Sequence, residues 1–130
     1  MRVYKTKEFA KLARKAGVVD ASLREAIARA ERGLIDAALG RFLIKQRVAR
    51  VNEGKSGGFR IIAFHRRGDR AVFLHLFAKN RQATLSASEE SGYRDFAKLL
   101  MELSTESVRR LVEQEEWIEI TNEDDHKISK

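Results

Sequence analysis

Apolar and polar residues repeat with a helical period at both ends of the chain and with a period of two in the middle. In the first part, Thr6 is placed to cap the helix "KEFAKLARKAG", and Gly17 is placed to end it. Asp20 is placed to cap a second helix, whose buried face would carry Leu23, Ile27, Ala30 and Leu34. The preceding "RVYKT" is predicted to be an edge strand.

The middle part predicts three strands, "FLIKQRVARV", "FRIIAFHR" and "AVFLHLFAK". Gly68 and Asp69 predict a two-residue hairpin turn, which pairs Arg60 with Phe77. The apolar face against the helices would then carry Phe59, Ile61, Ala63, Val72, Leu74 and Leu76. The opposite, solvent-facing side would carry Arg60 and Lys79, with Phe64, Phe73 and Phe77. A β-bulge would exchange these faces.

After residue 82 the helical period returns. Ser86 and Glu89 predict a capping box, followed by a buried stripe of Tyr93, Phe96, Ala97 and Leu100. Ser104 is placed to cap another helix, with Val108, Leu111 and Val112 on its buried side. The predicted fold class is therefore α+β: a small antiparallel β-sheet with the N-terminal helices packed on one face, followed by C-terminal helices. We expect one domain over residues 1–120 and a disordered tail over residues 121–130.

The composition of the chain excludes several classes of protein. The 130 residues are enough for one domain with its own core, and they include no cysteine, so thiolate metal sites and disulfides are excluded. No leader-like or membrane-length apolar run occurs. These features predict a cytoplasmic protein without a membrane partner.

Net charge is unevenly distributed along the chain. Residues 1–40 carry a net charge of +4, residues 41–81 carry +9, and residues 82–130 carry −6, within a total of +7. A strongly basic middle favours a polyanionic partner, of which nucleic acid is the commonest inside cells. A basic surface without a specific partner is the alternative interpretation.

The stretch "KSGGFR" is the most informative motif in this basic region. Two adjacent glycines suit a turn or a close approach to the backbone, and here they are flanked by Lys55 and Ser56 on one side and Arg60 on the other. Free backbone N–H groups and cations together suit a phosphate. The loop lacks the sequence of a nucleotide-binding P-loop, and taken alone it is a weak signal, because glycine pairs between strands are usually simple turns.

The order of "TKEFAKLARKAG", "LIKQRVAR", "GKSGGFRIIAF" and "RGDRAVFLHLFAKN" resembles the RelE/HigB branch of bacterial toxins, in the RelE/ParE superfamily. The resemblance implies a toxin of a type II toxin–antitoxin system that inhibits translation. Such toxins bind the ribosome and cleave mRNA as metal-independent endoribonucleases (mRNA interferases), without a cofactor. A cognate antitoxin protein would neutralise the toxin.

The resemblance also implies which residues do the chemistry. The RNA 2′-OH attacks the adjacent phosphate, so basic side chains must assist proton removal, stabilise charge and protonate the leaving oxygen. Arg60 matches the arginine after the glycine turn, Lys79 the lysine that ends the last strand, and Lys45 and Arg47 the cations of the strand before the loop. Which residue is acid and which is base stays open. The expected RNA-binding residues are Arg50, Lys55, Ser56, Gly57, Gly58 and Arg81.

Some of these residues have structural interpretations too. Lys79 can merely protect a strand end, and Arg47 can pair with Glu53 or another carboxylate. His65 and His75 offer acid–base chemistry but are predicted on opposite faces. The aromatic residues of the Arg60 face suit packing better than base stacking.

The chain departs from the family pattern after the last strand, because "NRQATLSASEE" contains no tyrosine and Tyr93 lies within a predicted helix. This leaves the orienting role of that tyrosine unassigned. Two alternative functions therefore stay open: a ParE-like inhibitor of DNA gyrase, which the cationic cluster disfavours, and a catalytically inactive nucleic-acid-binding module.

Overall fold

The computed structural model describes residues 1–48, 58–78 and 85–121. Its elements follow the order β1 (Arg2–Thr6), α1 (Lys7–Ala16), α2 (Asp20–Glu31), β2 (Ala37–Gly40), β3 (Leu43–Val48), β4 (Phe59–Arg66), β5 (Arg70–Ala78), α3 (Ala87–Met101), α4 (Thr105–Glu113) and β6 (Trp117–Glu119). The α+β class is confirmed. Within these ranges no helix has the length and apolar character needed to cross a bilayer.

One six-stranded sheet organises the fold, with the strand order β2-β3-β4-β5-β1-β6. All neighbouring strands are antiparallel except β1 and β5, which run parallel. The prediction of β1 as an edge strand is wrong, because β1 lies between β5 and β6. The edges are formed by β2 and β6, two short strands that the alternation of residues did not reveal.

Local capping determines where the N-terminal helices begin and end. The Thr6 hydroxyl accepts a hydrogen bond from the Phe9 N–H at 3.0 Å, and Gly17 ends α1 with a left-handed φ of 75°, as predicted. The prediction for α2 is wrong in two details. Asp20 is its first helical residue, not its cap, and its carboxylate pairs with Lys5 instead. Leu34 lies beyond the helix and is 56% exposed.

Both faces of the sheet are covered by helices. One core lies under α1 and α2, and its largest side chains are Phe9, Leu23, Ile27, Ile44, Ile61, Phe73 and Leu76. The other lies under α3 and α4 and includes Tyr4, Leu43, Ile62, Phe64, Leu74, Phe77, Leu100 and Trp117. The face predicted to be open to solvent is therefore also largely buried, because its apolar side chains pack against the C-terminal helices.

The β4–β5 hairpin differs from its predicted geometry at two points. Arg66 pairs with Arg70, so the turn has three residues, with Gly68 in the left-handed region at φ 75°. Farther along, Ile62 pairs with His75 but Ala63 pairs with Phe73, which leaves Leu74 as an extra residue in β5. The two shifts cancel, so Arg60 still pairs with Phe77 as predicted.

The bulge changes which residues of β5 share a face. Val72 and Leu74 belong to the core under α3 and α4, not to the α1 and α2 side as predicted. Phe73 was predicted on the Arg60 face, but it stacks on Phe9 in the other core, with ring centroids 5.3 Å apart. The assignments of Phe59, Ile61, Ala63 and Leu76 to the α1 and α2 side are confirmed.

The C-terminal helices begin where predicted. Ser86 and Glu89 form a complete capping box, and the Ser104 hydroxyl caps α4 through the Ser107 N–H at 3.0 Å. Ala97 and Leu100 are buried on α3, whereas Phe96 is 38% exposed, so its prediction as a core residue is wrong. Helix α3 contacts the sheet at β2 and β3.

A close contact at Gly40 fixes α3 against β2. The Arg94 guanidinium donates from Nη1 to the Leu39 carbonyl at 3.1 Å and to Glu90 Oε2 at 2.8 Å. A Cβ atom on Gly40 would lie 2.9 Å from Arg94 Cδ and 3.0 Å from Cγ. Since the Arg94 guanidinium is held by two hydrogen bonds from Nη1, we infer that glycine is needed here for space under the side chain.

We therefore expect the effect of Gly40→Ala to depend on Arg94. In the native background the added methyl group should lower the free energy of unfolding by about 1 kcal/mol, the usual lower cost of overpacking. In an Arg94→Ala background it should raise that free energy by about 0.5 kcal/mol, because alanine is better than glycine within a strand. Urea unfolding of the four proteins of this double-mutant cycle measures both effects. The same change in both backgrounds would show that Gly40 is not required by Arg94.

Candidate nucleic-acid site on the sheet

The register of β3, β4 and β5 brings three predicted cations onto one face of the sheet. Arg47 lies opposite Arg60, which lies opposite Phe77. In the next row, Lys45 lies opposite Ile62, which lies opposite His75. Directly opposed residues of an antiparallel pair point to the same side. The two rows therefore form a cationic patch, Lys45, Arg47 and Arg60, on the α3 side of the sheet.

Arg60 lacks a partner for part of its guanidinium. The residue is only partly exposed, and its Nη1 atom is buried without a hydrogen-bond acceptor among the described residues. This corrects the expectation of a solvent-facing side chain, since α3 and its neighbours cover this face. A buried donor without an acceptor costs about 1–3 kcal/mol. Arg60 is therefore held in an unfavourable state that an anion would relieve.

Arg47 faces Arg60 but has a carboxylate partner. Its Nε atom lies 3.7 Å from Asp36 Oδ2, and its side chain is 57% exposed. The same carboxylate oxygen accepts a hydrogen bond from the Arg47 backbone N–H at 2.6 Å. The predicted alternative of pairing with a carboxylate is thus what the structure shows, with Asp36 as the partner. The pairing positions the guanidinium at the border of the patch.

Gln46 holds Asp36 in place for this contact. Gln46 is fully buried, and its Oε1 accepts a hydrogen bond from the Asp36 N–H at 2.7 Å. Its Nε2 donates to the carbonyls of Ala26 and Leu34, at 3.0 and 3.2 Å. The buried amide therefore ties α2, the following loop and β3 together beneath the patch.

Lys45 is the second cation of the patch without a described partner. Its residue is partly buried, and it forms no ion pair within residues 1–48, 58–78 and 85–121. It stands opposite apolar Ile62 on the neighbouring strand. Lys45 can therefore contact an anion bound beside Arg60.

An aromatic stack adjoins the patch. The His75 ring lies 6.0 Å from the Phe77 ring and 5.8 Å from the Tyr93 ring, measured between centroids, with interplanar angles of 29° and 26°. Burial within this stack lowers the pKa of His75, against the opposing effect of the Glu89 charge. His75 is therefore neutral at pH 7 and has a ring nitrogen able to accept a proton.

Tyr93 joins the site from α3. Burial is the main cause that raises the pKa of its phenol, and the nearby Glu89 carboxylate adds to it. The Ser86 backbone N–H, which donates to Glu89, is the main cause that lowers the pKa of the Glu89 carboxyl group. Glu89 therefore carries a negative charge at the start of α3. The phenol of Tyr93, which stacks on His75, is protonated.

Sequence reasoning left Tyr93 without a role, because this residue does not directly follow β5 but lies within the next helix, α3. Its predicted place in the buried stripe of α3 was the available signal, but the contact with His75 is not local. The Arg94 contact with Leu39 fixes the adjacent residue of the same helix. The structure therefore brings a tyrosine to the site from an element that the family pattern did not indicate.

The second histidine belongs to a different environment. His65 Nε2 lies 2.6 Å from Glu31 Oε2, and the Gly68 N–H donates to both oxygens of the same carboxylate at 3.2 Å. These contacts join the end of α2 to the hairpin turn, on the opposite side of the sheet from His75. His65 has a structural role there, and the prediction that the two histidines do not share a face holds.

Several predicted site residues lie outside the described residues: Lys79, Arg50, Lys55, Ser56, Gly57 and Arg81. Gly58 is described; it is buried and immediately precedes β4. Of the other predicted aromatic contacts, Phe64 and Phe77 do lie on the Arg60 side, buried in the core under α3. Packing therefore accounts for both rings.

The described residues contain no group of three or more His, Asp or Glu side chains arranged to hold a metal ion. The chemistry that this face offers comes from an unpartnered guanidinium, an ammonium group, a neutral imidazole and a protonated phenol. These are the groups that bind a phosphate and move protons next to it.

Comparison with known families supports the same assignment. The family model described as the RelE toxin of the RelE / RelB toxin–antitoxin system matches residues 1–120. A comparison with individually curated proteins gives no significant match. Because the family match covers nearly the whole chain and the sheet flanked by helices agrees with it, the protein belongs to the RelE toxin family of toxin–antitoxin systems.

Proposed function

We propose that the protein is a ribosome-dependent mRNA endoribonuclease that cleaves by attack of the RNA 2′-OH on the adjacent phosphate. The observation that carries this proposal is the buried Nη1 of Arg60, which has no hydrogen-bond partner in the part of the chain that the structure describes. Arg60 lies directly opposite Arg47 in the β3–β4 pair. Like charges directly opposite each other destabilise a sheet. An anion bound between them would reverse that cost, and a phosphodiester has the charge and the oxygen geometry that a guanidinium prefers.

In the proposed mechanism Arg60 binds the non-bridging oxygens of the scissile phosphate. Its planar fork stabilises the charge that grows on these oxygens in the pentacoordinate transition state. Lys45 contacts the same phosphate from β3. Lys79, which matches the family's lysine after the last strand, supplies a proton to the leaving 5′ oxygen. Binding, charge stabilisation and protonation are thus divided among cations of three neighbouring chain segments.

Neutral His75 is the proposed acceptor of the 2′-OH proton. It occupies the row next to Arg60, and diagonal neighbours in such a ladder lie about 7–8 Å apart, a distance that a bound nucleotide can bridge. Burial in the aromatic stack keeps the imidazole neutral, so a lone pair is available at pH 7. Tyr93 orients the ring. It thereby takes the orienting role of the tyrosine that is missing after β5.

The wider setting of the site follows from the family. A cognate antitoxin is the implied partner, and we propose the ribosome and mRNA as the targets of the free toxin. The remaining proposed RNA-binding residues, Arg50, Lys55, Ser56, Gly57, Gly58 and Arg81, belong to the segments that flank the patch in sequence. We further propose that residues 1–120 form a single toxin domain and that it acts in the cytoplasm.

Replacing Arg60 with methionine should abolish toxicity and stabilise the fold at the same time. Loss of one oxyanion-stabilising donor typically lowers kcat by about 10²–10³. Removing a buried donor that lacks an acceptor should raise the free energy of unfolding by about 1 kcal/mol. Growth after induction, mapping of mRNA 5′ ends on ribosomes, and urea unfolding measure the three consequences.

Arg110→Met is the matched control, because Arg110 is an exposed arginine on α4 whose side chain is 66% accessible. It should leave toxicity and cleavage unchanged. Arg60→Lys keeps the charge but loses the fork, and should lose toxicity and mRNA cleavage as the methionine variant does. Full toxicity of Arg60→Met would contradict the assigned site. Growth arrest with DNA damage and intact mRNA would instead indicate a gyrase inhibitor.

Replacing Tyr93 with alanine should change the pKa of His75. Because burial lowers this pKa in the folded protein, neutral His75 contributes stability that is present above the unfolded pKa of about 6.5 and is lost as pH falls below it. Tyr93→Ala opens the stack and should move the pKa back toward 6.5. NMR titration of the His75 ring protons measures the change, and His65, on the other face, is the internal control. An unchanged His75 pKa in the variant would show that the stack does not set its protonation.

A further inference from the structure

Strand β6 forms one edge of the sheet, and no described strand pairs with its outer side. On the inner side, the Ile120 N–H donates to the Val3 carbonyl of β1 at 2.8 Å. The backbone groups of successive residues in an antiparallel strand point to opposite sides. The N–H and C=O groups of Trp117 and Glu119 therefore point to the outer edge, where a further strand could pair with them.

The two edges of the described sheet differ in how well they are protected. In β2 the register shifts between Ala38 and Gly40, and Arg94 Nη1 donates to the Leu39 carbonyl. Irregular pairing and a covering side chain both hinder the addition of another strand. The pairing of β6 with β1 is regular throughout. The outer edge of β6 is therefore the more accessible of the two.

A depression of about 640 Å³ lies beside this edge. Its lining includes Lys7 at the start of α1, Val112 at the end of α4, and Ile118 and Glu119 of β6. Ile118 is 39% exposed, whereas the Trp117 side chain is buried and holds the strand in place. The depression thus offers an extended segment space and an apolar contact next to a well-packed strand.

The chain around this edge is acidic, although the whole protein carries a net charge of +7. Residues 113–119 contain four glutamates and no lysine or arginine. Three of these glutamates pair with Arg109, Lys7 and Arg2, in solvent-accessible ion pairs of the kind that contribute little stability. Glu115 forms no ion pair with a residue that the structure describes. The edge therefore attracts cations and repels the phosphates of RNA.

We propose that the outer edge of β6 binds an extended segment of another protein in which lysine or arginine alternates with apolar residues. The backbone of this segment pairs with the outward groups of Trp117 and Glu119. Its side chains alternate between the two sides of the sheet, with cations beside Glu119 and apolar groups beside Ile118. Both kinds of cross-strand pair stabilise a sheet. A second copy of this chain is disfavoured, because two β6 edges would bring glutamates against glutamates.

The probe for this edge is a fluorescent heptapeptide in which lysine alternates with valine. A peptide with proline in place of each valine has the same charge but cannot form a strand, and it should not bind. Fluorescence anisotropy should show that Glu115→Gln with Glu119→Gln weakens binding of the lysine–valine peptide about fivefold. The matched control is Glu25→Gln with Glu102→Gln, which also removes one glutamate that pairs with an arginine and one that has no described partner. This control should bind within about twofold of the native protein.

Amide hydrogen exchange, measured by NMR on the native protein, locates the bound peptide. Saturation with the lysine–valine peptide should slow exchange of the Trp117 and Glu119 amides by about tenfold, because both gain a hydrogen-bond acceptor. Exchange of the Ala38 amide, on the opposite edge of the sheet, should not change. The assay contains no RNA, so its result is independent of the proposed nuclease activity.

Three results with the peptides would overturn the proposal: equal binding of the proline peptide, an equal loss of binding in both double variants, or slower exchange at Ala38 in place of Trp117 and Glu119. Slower exchange of the Trp117 and Glu119 amides without peptide, increasing with protein concentration, would assign the edge to a second copy and would also overturn it. The same protection by an RNA oligonucleotide would do so too. Circular dichroism checks that both double variants keep the native fold.

Discussion

The extra residue at Leu74 in β5 is the constraint on which the two-sided core and the candidate site both depend. A regular strand repeats every two residues, so one face would carry either the odd or the even positions throughout. The bulge lets Phe73 and Leu76 fill the core under α1 and α2 while Leu74 and Phe77 fill the core under α3. Because it cancels the shift made by the three-residue turn, it also keeps His75 on the same side as Arg60. One irregularity therefore serves packing on both faces and brings an imidazole to the cationic patch.

Positive charge that is partly buried and lacks a described carboxylate partner marks the candidate site on the sheet. Most described cations have carboxylate or carbonyl partners, whereas Arg60 and Lys45 on the sheet form no ion pair with a described residue. The Nη1 atom of Arg60 is buried on the face of the sheet that α3 and α4 cover, so water is excluded from it. The fold accepts a loss of stability at this face, as active sites commonly do. The Arg94 contact at Gly40 matters here since it holds the covering helix in position.

Features determined by neighbouring residues were predictable from the sequence. The caps at Thr6, Ser86 and Ser104 depend on contacts within four residues, and all three are confirmed. The alternation of β3 also sufficed to put Lys45 and Arg47 on one side of their strand, whereas their position beside Arg60 comes from the β3–β4 register. These features depend only on helical and strand periodicity.

Features determined by distant contacts were not predictable. Strands β2 and β6 have four and three residues, and each forms only by pairing with a longer strand. The position of β1 inside the sheet depends on a parallel pairing with β5. The three-residue turn and the bulge each shift the register by one residue. Beyond the bulge the two shifts cancel, so the predicted partner of Arg60 is right. Between the turn and the bulge they do not cancel, so the predicted face of Phe73 is wrong. The stack of Tyr93 on His75 follows from the same long-range geometry.

The central claim is that the Arg60 guanidinium binds a phosphate of the RNA. Arginine side-chain NMR spectra, recorded while the protein is titrated with a short RNA whose 2′-deoxy nucleotide prevents cleavage, test it most directly. The account predicts that the Arg60 Nε–Hε signal shifts on binding together with the ring signals of His75 and Tyr93. Saturation by the oligonucleotide with these three signals unchanged would contradict it.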